Sequence, residues 1–250
     1  MISKKLLYSS IKKVFLDLKD VEHFIFWDLE SRKLHLKSLD NAYNTHILSK
    51  CTLSFDSSFD SSFVLKEPEQ FLKLVDIMDE QIKLDINISY GDNFIKMKDS
   101  SFESEYVIAD INYIPEYILE KKKMEPEEPI SYDVQIQLDG EFKEKFLKAK
   151  KANKSSLVFI STKDRTTYFQ LGENNNFTNK IKFSIEMPGM FDMGTLSFSA
   201  DIIQSVIERN KNANGKMFVD PEGLMKLNFR EDIDGSVIET NYFLVAQDNI

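Results

Sequence analysis

Leu7, Ile11, Val14 and Leu18 recur at spacings of four, three and four, with Phe15 beside them. That period predicts an amphipathic helix over 3–18, ending near Lys19 and Asp20. Lys5, Ser9, Lys12 and Lys13 fall on its opposite face. From 21 to 66 the period shortens to two. "HFIFWDL", "KLHLKSL", "HILSKCTLSFD" and "SSFVLK" are short, alternating and separated by polar clusters, which predicts strands. "KEPEQFLKLVDIMDE" returns to the helical period. Pro68 suits a first turn, Glu67 and Glu69 suit the positive end of the helix dipole, and Phe71, Leu72, Val75 and Met78 form the apolar stripe. Three more strands follow, "IKLDINISY", "NFIKMKD" and "EYVIADINY", with a "GDN" turn at 91–93.

The rhythm breaks at 115–131, "PEYILEKKKMEPEEPIS", which holds three of the six prolines and a charge run. This reads as a connector. The pattern then starts again. "SYDVQIQL" is a strand and 140–152 a basic amphipathic helix, with Phe142, Phe146 and Ala149 on one face and Lys148 and Lys151 opposite. "SSLVFIST", "TTYFQLG", "NKIKFSIEM" and "GTLSFS" are strands. "SADIIQSVIERNKN" is a helix with Ser199 as N-cap and Ile202, Ile203, Val206 and Ile207 inward. "GKMFVD", "LMKLNFRED" and "ETNYFLVAQ" close the chain, with an "IDG" turn at 233–235 and a "DPEG" turn at 220–223. Each half therefore reads helix, strands, helix, three strands. The halves share an order of elements and almost no residue identity, which is a duplication of structure. The expected organisation is a first domain at 1–114, a connector at 115–131 and a second domain at 132–250.

Composition sharpens this. The chain has 250 residues, 42% of them hydrophobic with 20 phenylalanines, enough for a substantial core. Eight glycines leave little material for Gly-rich phosphate loops. The single cysteine, Cys51, allows no intrachain disulfide and fits a reducing compartment. The start, "MISKKLLYSSIKKVFL", lacks the continuous apolar core of a signal peptide, and no run is long enough to span a membrane. A soluble, cytoplasmic protein is expected. The net charge is −9, yet "GEFKEKFLKAKKANKS" at 140–155 carries six lysines. An acidic total argues against a surface that binds nucleic acid everywhere. It leaves room for basic stripes on one side.

The order of elements, the midpoint connector, the acidic total and the basic leading helices resemble DNA polymerase sliding clamps, closest to those of T-even-type bacteriophages. The resemblance spans nearly the whole chain. It is carried by "VQIQLDGEFKEKFLKAKKANKSSLVFIST" (134–162), "EPEQFLKLVDIMDEQIKLDINISYGDNFIKMKD" (67–99) and "KMFVDPEGLMKLNFREDIDGSVIETNYFLVAQD" (216–248). The chain departs from the phage pattern in a longer, more charged connector and in Lys145, where an apolar helix residue is usual.

This resemblance implies an α+β, two-domain DNA-clamp fold, each domain with helices packed on antiparallel sheets. It implies a homotrimeric ring of six domains around double-stranded DNA. Lys5, Lys12, Lys13, Lys148, Lys151 and Lys154 would face the phosphate backbone without reading bases, as a sliding protein needs. It implies a non-enzymatic processivity factor that tethers a DNA polymerase and is placed by an ATP-dependent clamp loader, with no cofactor. The strand near 105–112 would meet the strand near 180–187 of the next subunit. Partner peptides would dock by apolar anchors among Ile114, Tyr117, Ile118, Leu119, Tyr242 and Leu244, or these would be plain core.

Other chemistry is sparse. His23, His35 and His46 match no common metal-ligand spacing, so no metal site is expected. "SFDSSFDSSF" (54–63) reads as a hairpin turn between strands. No G-x-S-x-G, H-E-x-x-H, P-loop or dinucleotide fingerprint occurs. Cys51 lies in an apolar strand and is expected buried and inert. Three other readings stand beside the ring: a clamp-like monomer or dimer holding DNA on one basic face, a metal-dependent hydrolase of another family, and an adaptor with incidental lysine helices.

Overall fold

Ser3 ends the first extended residues and starts the first helix, its hydroxyl accepting from the Leu6 amide at 3.3 Å. The computed structural model describes residues 1–16, 25–30, 33–42, 45–54, 61–88, 93–110, 112, 114, 116, 128–129, 131–172, 179–187, 189 and 191–247. The chain forms two compact units. The first comprises Met1–Asn41, Leu48–Glu125 and Arg230–Asn241, and the second Ala42–Ile47, Pro126–Phe229 and Tyr242–Ile250.

In the first part of the chain the elements are β1 (Ile2–Ser3), α1 (Lys4–Val14), β2 (Ile25–Glu30), β3 (Lys33–Ala42), β4 (Thr45–Ser54), β5 (Ser61–Leu65), α2 (Pro68–Ile77), β6 (Gln81–Asn87), β7 (Phe94–Lys98), β8 (Glu103–Val107) and β9 (Ala109–Asp110). The strands lie in the orders β1-β6-β7-β8 and β4-β3-β2-β5-β9. The second part runs β10 (Val134–Leu138), α3 (Gly140–Ala152), β11 (Leu157–Lys163), β12 (Thr166–Leu171), β13 (Ile181–Glu186), β14 (Met193–Ser199), α4 (Ala200–Arg209), β15 (Asn214–Val219), β16 (Leu224–Ile233) and β17 (Ser236–Val245). Its orders are β10-β15-β16-β17 and β13-β12-β11-β14. Element by element, β1-β6-β7-β8 repeats as β10-β15-β16-β17, and β4-β3-β2-β5 as β13-β12-β11-β14. The duplication therefore extends from the order of elements to their spatial neighbours.

Three expectations change. The first helix, expected to run to Leu18, ends at Val14 with Phe15 as its extended C-cap. The segment 54–63 does not close a hairpin: two strands, β3 and β2, lie between β4 and β5 in the sheet. Residues 55–60 themselves lie outside the described residues. The strand expected over 105–113 also divides. β8 pairs with β7 as far as Val107, then Ile108 donates to the Asn93 carbonyl at 3.0 Å and β9 pairs with β5. The "IDG" turn is present. Asp234 and Gly235 both have positive φ, 54° and 77°, as a tight hairpin with right-handed twist requires.

Aromatic side chains fill both cores. In the first unit Trp27 stacks on Phe63 at 5.2 Å, Phe71 meets Trp27 edge-on, and Tyr106 closes on Phe71 at 5.1 Å. Leu7, Ile11 and Val14 of α1 join the same core, each fully buried. In the second unit Phe142 and Phe146 of α3 pack with Phe169 and Phe183, the last two stacked at 4.9 Å. Each such buried side chain contributes about 1.5–3 kcal/mol. These stripes decide which face of α1 and of α3 remains for solvent. Cys51 is buried as expected, and burial pushes its thiol up to about 12.

Candidate nucleic-acid interface

The six lysines of 140–155 separate into three pairs. Asp139 caps α3 by accepting from the Phe142 amide at 2.8 Å. Lys143 and Lys150 are buried, with 6% and 7% exposure. The Lys143 ammonium donates to the carbonyls of Asn210, Lys211 and Ala213 at 3.0, 3.3 and 2.5 Å. These carbonyls belong to the C-cap and the turn that follows α4, near the helix end where the dipole also favours a cation. The Phe229 ring lies 5.6 Å from the same ammonium. Gly215 permits that ring position: a Cβ there would sit 2.5 Å from Phe229 Cε1. Lys150 pairs with Asp201 in the first turn of α4 at 2.7 Å.

Lys145 and Lys148 are exposed but each has a carboxylate one turn back. Glu141 lies 2.6 Å from Lys145 and Glu144 lies 2.6 Å from Lys148. The hydrogen bond and charge of Lys148 hold the Glu144 carboxyl below the usual carboxylate range. Lys151 and Lys154 are exposed and make no ion pair among the described residues. The outward face of α3 thus carries Glu141, Glu144, Lys145, Lys148 and Lys151.

The outward face of α1 is built differently. Lys12 is exposed, with its ammonium 5.4 Å from the half-buried Tyr8 ring. Lys5 is exposed and meets Asp234 at 3.7 Å. The helix itself, KKLLYSSIKKV, contains no acidic residue. Lys4 donates to the carbonyl of Asp76 near the C-terminal end of α2, the counterpart of Lys143 at α4.

Lys13 corrects the expectation that it lies opposite the apolar stripe. Its side chain is 4% exposed and sits 2.7 Å from Glu231. Leu6, Ser10 and Lys13 follow at spacings of four and three, so the third shares the buried side of the first two. The same arithmetic marks Lys143 and Lys150, which flank Phe146 by three and four residues on its own face. Helical spacing alone could have found all three.

The expected partner-peptide anchors do not line an open pocket where they are described. Ile114 is buried against Phe26 and Val64 in the first unit. Tyr242 and Leu244 are fully buried in the second, where the Tyr242 hydroxyl accepts from the Asn210 side-chain amide at 2.8 Å. They read as core. Tyr117, Ile118 and Leu119 lie outside the described residues.

Both strands expected at a subunit contact are sheet edges. β8 has β7 as its only described neighbour, and β13 has β12. Val107, at the end of β8, is 80% exposed. Along β13 exposed Lys182, Ser184 and Glu186 alternate with half-buried Ile181, Phe183 and Ile185. An unprotected edge presents a row of backbone donors and acceptors to another strand. Beside β13, the cleft lined by Gln135, Gln137, Phe142, Ser184 and Glu186 has a volume of about 610 Å³.

Among the described residues no group of three or more His, Cys, Asp or Glu side chains is placed to hold a metal ion. Among them no helix is long and apolar enough to cross a membrane.

Duplicated helix-on-sheet units with lysines on their leading helices define a class: this is the two-domain sliding-clamp fold. The chain superposes on A. fulgidus PCNA, in its structure with the C-terminal region of FEN-1, with a TM-score of 0.73 at 13% identity, covering 100% of this chain and 98% of that one. Proliferating Cellular Nuclear Antigen from Entamoeba histolytica gives 0.69 at 12% identity, over 98% and 96%. The DNA polymerase III subunit beta from Pseudomonas aeruginosa gives 0.67 at 9% identity, and there the chain spans only 64% of the longer protein. No protein-family model and no curated protein sequence matches. At these identities the likeness is one of fold.

Proposed function

We propose that this chain is a non-enzymatic sliding clamp, which encircles double-stranded DNA without sequence preference and tethers a DNA polymerase for processive synthesis. The observation that carries the reading is the repeated clamp topology with exposed lysines on the leading helix of each repeat. Its clamp domains are 1–114 and 132–250, with 115–131 as connector. Lys5, Lys12, Lys148, Lys151 and Lys154 contact phosphates; Lys13 drops out because it is buried against Glu231. Backbone contacts of this kind attract DNA and leave it free to move.

The clamp closes as a homotrimer, the β8 edge of one copy pairing with the β13 edge of the next. Head-to-tail contacts of this kind generate a ring when the rotation closes. An ATP-dependent loader opens it, and the polymerase docks at the connector around Tyr117, Ile118 and Leu119. The sequence pattern supports the T-even phage type among clamps.

Light scattering over a range of concentrations tests the assembly. A mass of three chains, falling on dilution, is expected; a monomer at every concentration overturns the ring. Charge reversal at Lys12, Lys148 and Lys151 tests the DNA contact. Retention on nicked circular DNA should fall about tenfold or more with the fold intact by circular dichroism, the scale expected when several lysines no longer neutralise phosphates. Unchanged retention would remove the interface.

A further inference from the structure

Lys148 is the most exposed lysine of α3 with a carboxylate in contact: the side chains are 75% and 65% exposed, and Glu144 lies 2.6 Å away. Glu at i and Lys at i+4 is the favourable orientation on a helix. Glu141 and Lys145 repeat the arrangement, each three residues earlier. Both carboxylates point to the same outward side as the lysines, because the inward side is taken by Phe142, Phe146 and Ala149. On α1, by contrast, no carboxylate lies within the helix.

We propose that Glu144 is a resident competitor of the DNA phosphate for Lys148. This rests on the reading of the α3 face as a DNA contact. A bare exposed lysine exchanges water and a loose counterion for a phosphate, and gives up that attraction entirely when the phosphate moves on. Lys148 instead swings from one oxyanion to another. Leaving a phosphate restores a hydrogen-bonded pair, so each step between phosphates meets a shallower well. Glu144 also repels the backbone and lowers the standing affinity. The two effects together make Lys148 a weaker, smoother grip than Lys12 of α1, which has an aromatic ring for a neighbour and no acid among the described residues.

The test is a double-mutant cycle on the full chain, with mixed-sequence linear duplex DNA as probe and fluorescence anisotropy at low salt as readout. Glu144→Gln should tighten binding about twofold, the scale of one exposed i,i+4 pair, and steepen the salt dependence by up to about one power. Lys148→Gln should weaken it. Glu144→Gln on top of Lys148→Gln should then give much less tightening, because the competitor no longer has anything to compete for. Equal tightening in both backgrounds would show a general field of negative charge and overturn the proposal. So would no effect of Glu144→Gln beside a clear weakening in Lys148→Gln, which leaves the DNA contact standing. If the Lys12, Lys148 and Lys151 reversals also change nothing, the DNA reading itself fails, and this inference with it.

Discussion

The leading helices α1 and α3 occupy equivalent places in a duplicated topology, yet they manage positive charge by different means. Each directs one lysine to the far end of the second helix of its repeat. In α1 that is Lys4, whose side chain is 30% exposed, donating to the Asp76 carbonyl. In α3 it is Lys143, 6% exposed and shared among three carbonyls. Each buries a second lysine in an ion pair, Lys13 on a strand residue, Glu231, and Lys150 on a helix residue, Asp201. Outward they part in where the acid comes from: α1 shows Lys12 beside Tyr8 and Lys5 near Asp234 of another element, and α3 shows lysine interleaved with its own glutamates. The lesson is that a lysine-rich helix is not a uniform basic surface. Burial, capping and intrahelical pairing claim most of the charge before any ligand arrives.

The largest test of this contrast is Lys143→Met against Lys4→Met. The first removes the buried donor from the carbonyls of Asn210, Lys211 and Ala213 just after α4 and should cost about 2–3 kcal/mol. The second should cost under about 1 kcal/mol, since water reaches that site. A thermal scan reads both; equal destabilisation would break the asymmetry.

Next are the two ion pairs of the buried lysines. Glu231 keeps 23% of its side chain exposed and Asp201 keeps 58%. Lys13→Met strands the less hydrated carboxylate, so it should cost about 1–2 kcal/mol and exceed Lys150→Met. Denaturant midpoints decide the order.

Cys51 makes the comparison specific to one repeat. Its thiol lies in the core of the first unit, with Thr240, Lys13 and Ser10 near it. Because its folded pKa is raised, no linked stability is lost below the unfolded thiol pKa. Stability falls as pH rises between that value and about 12. At pH 8 a thiol reagent should label native protein only through opening of this unit. Lys13→Met should speed labelling, whereas Lys143→Met should leave it nearly unchanged. Equal acceleration would mean that the two units open together.

The smallest effect belongs to the exposed pair. Lys148 lowers the Glu144 pKa, so its small stabilisation is present above the ordinary carboxylate pKa. It is lost as pH falls through the depressed value. Lys148→Gln should return the Glu144 titration, followed by NMR, toward the ordinary range. α1, with no acid, has no such acid-sensitive pair within it.

Much of this is legible along the chain. The stripe Phe142, Phe146, Ala149 marks the inward face of α3, and Ser199 marks the start of α4, because both depend on neighbours within one or two turns. The β8 and β13 strands can be chosen as edges only by resemblance. Residue type misleads at Lys13, Lys143 and Lys150: their spacing places them on buried faces that lysine ordinarily avoids. What cannot be read is the partner that makes such burial possible, such as Glu231 or the carbonyl at Ala213.

By itself, then, the sequence determined the period of the elements, the Ser199 cap, the repeat of their order and the apolar stripes of the helices. These are local quantities, set by sterics and hydrogen bonds within a few residues. Tertiary structure alone decided that β4 and β5 are not neighbours, that Tyr242 and Leu244 are core, and which groups receive the buried lysines. Those outcomes depend on charges and oxygens brought together from distant positions, as Asn210 and Ala213 are at Lys143. A long side chain on a helix border can go inward or outward. It goes inward where the fold supplies enough oxygen atoms to replace its water.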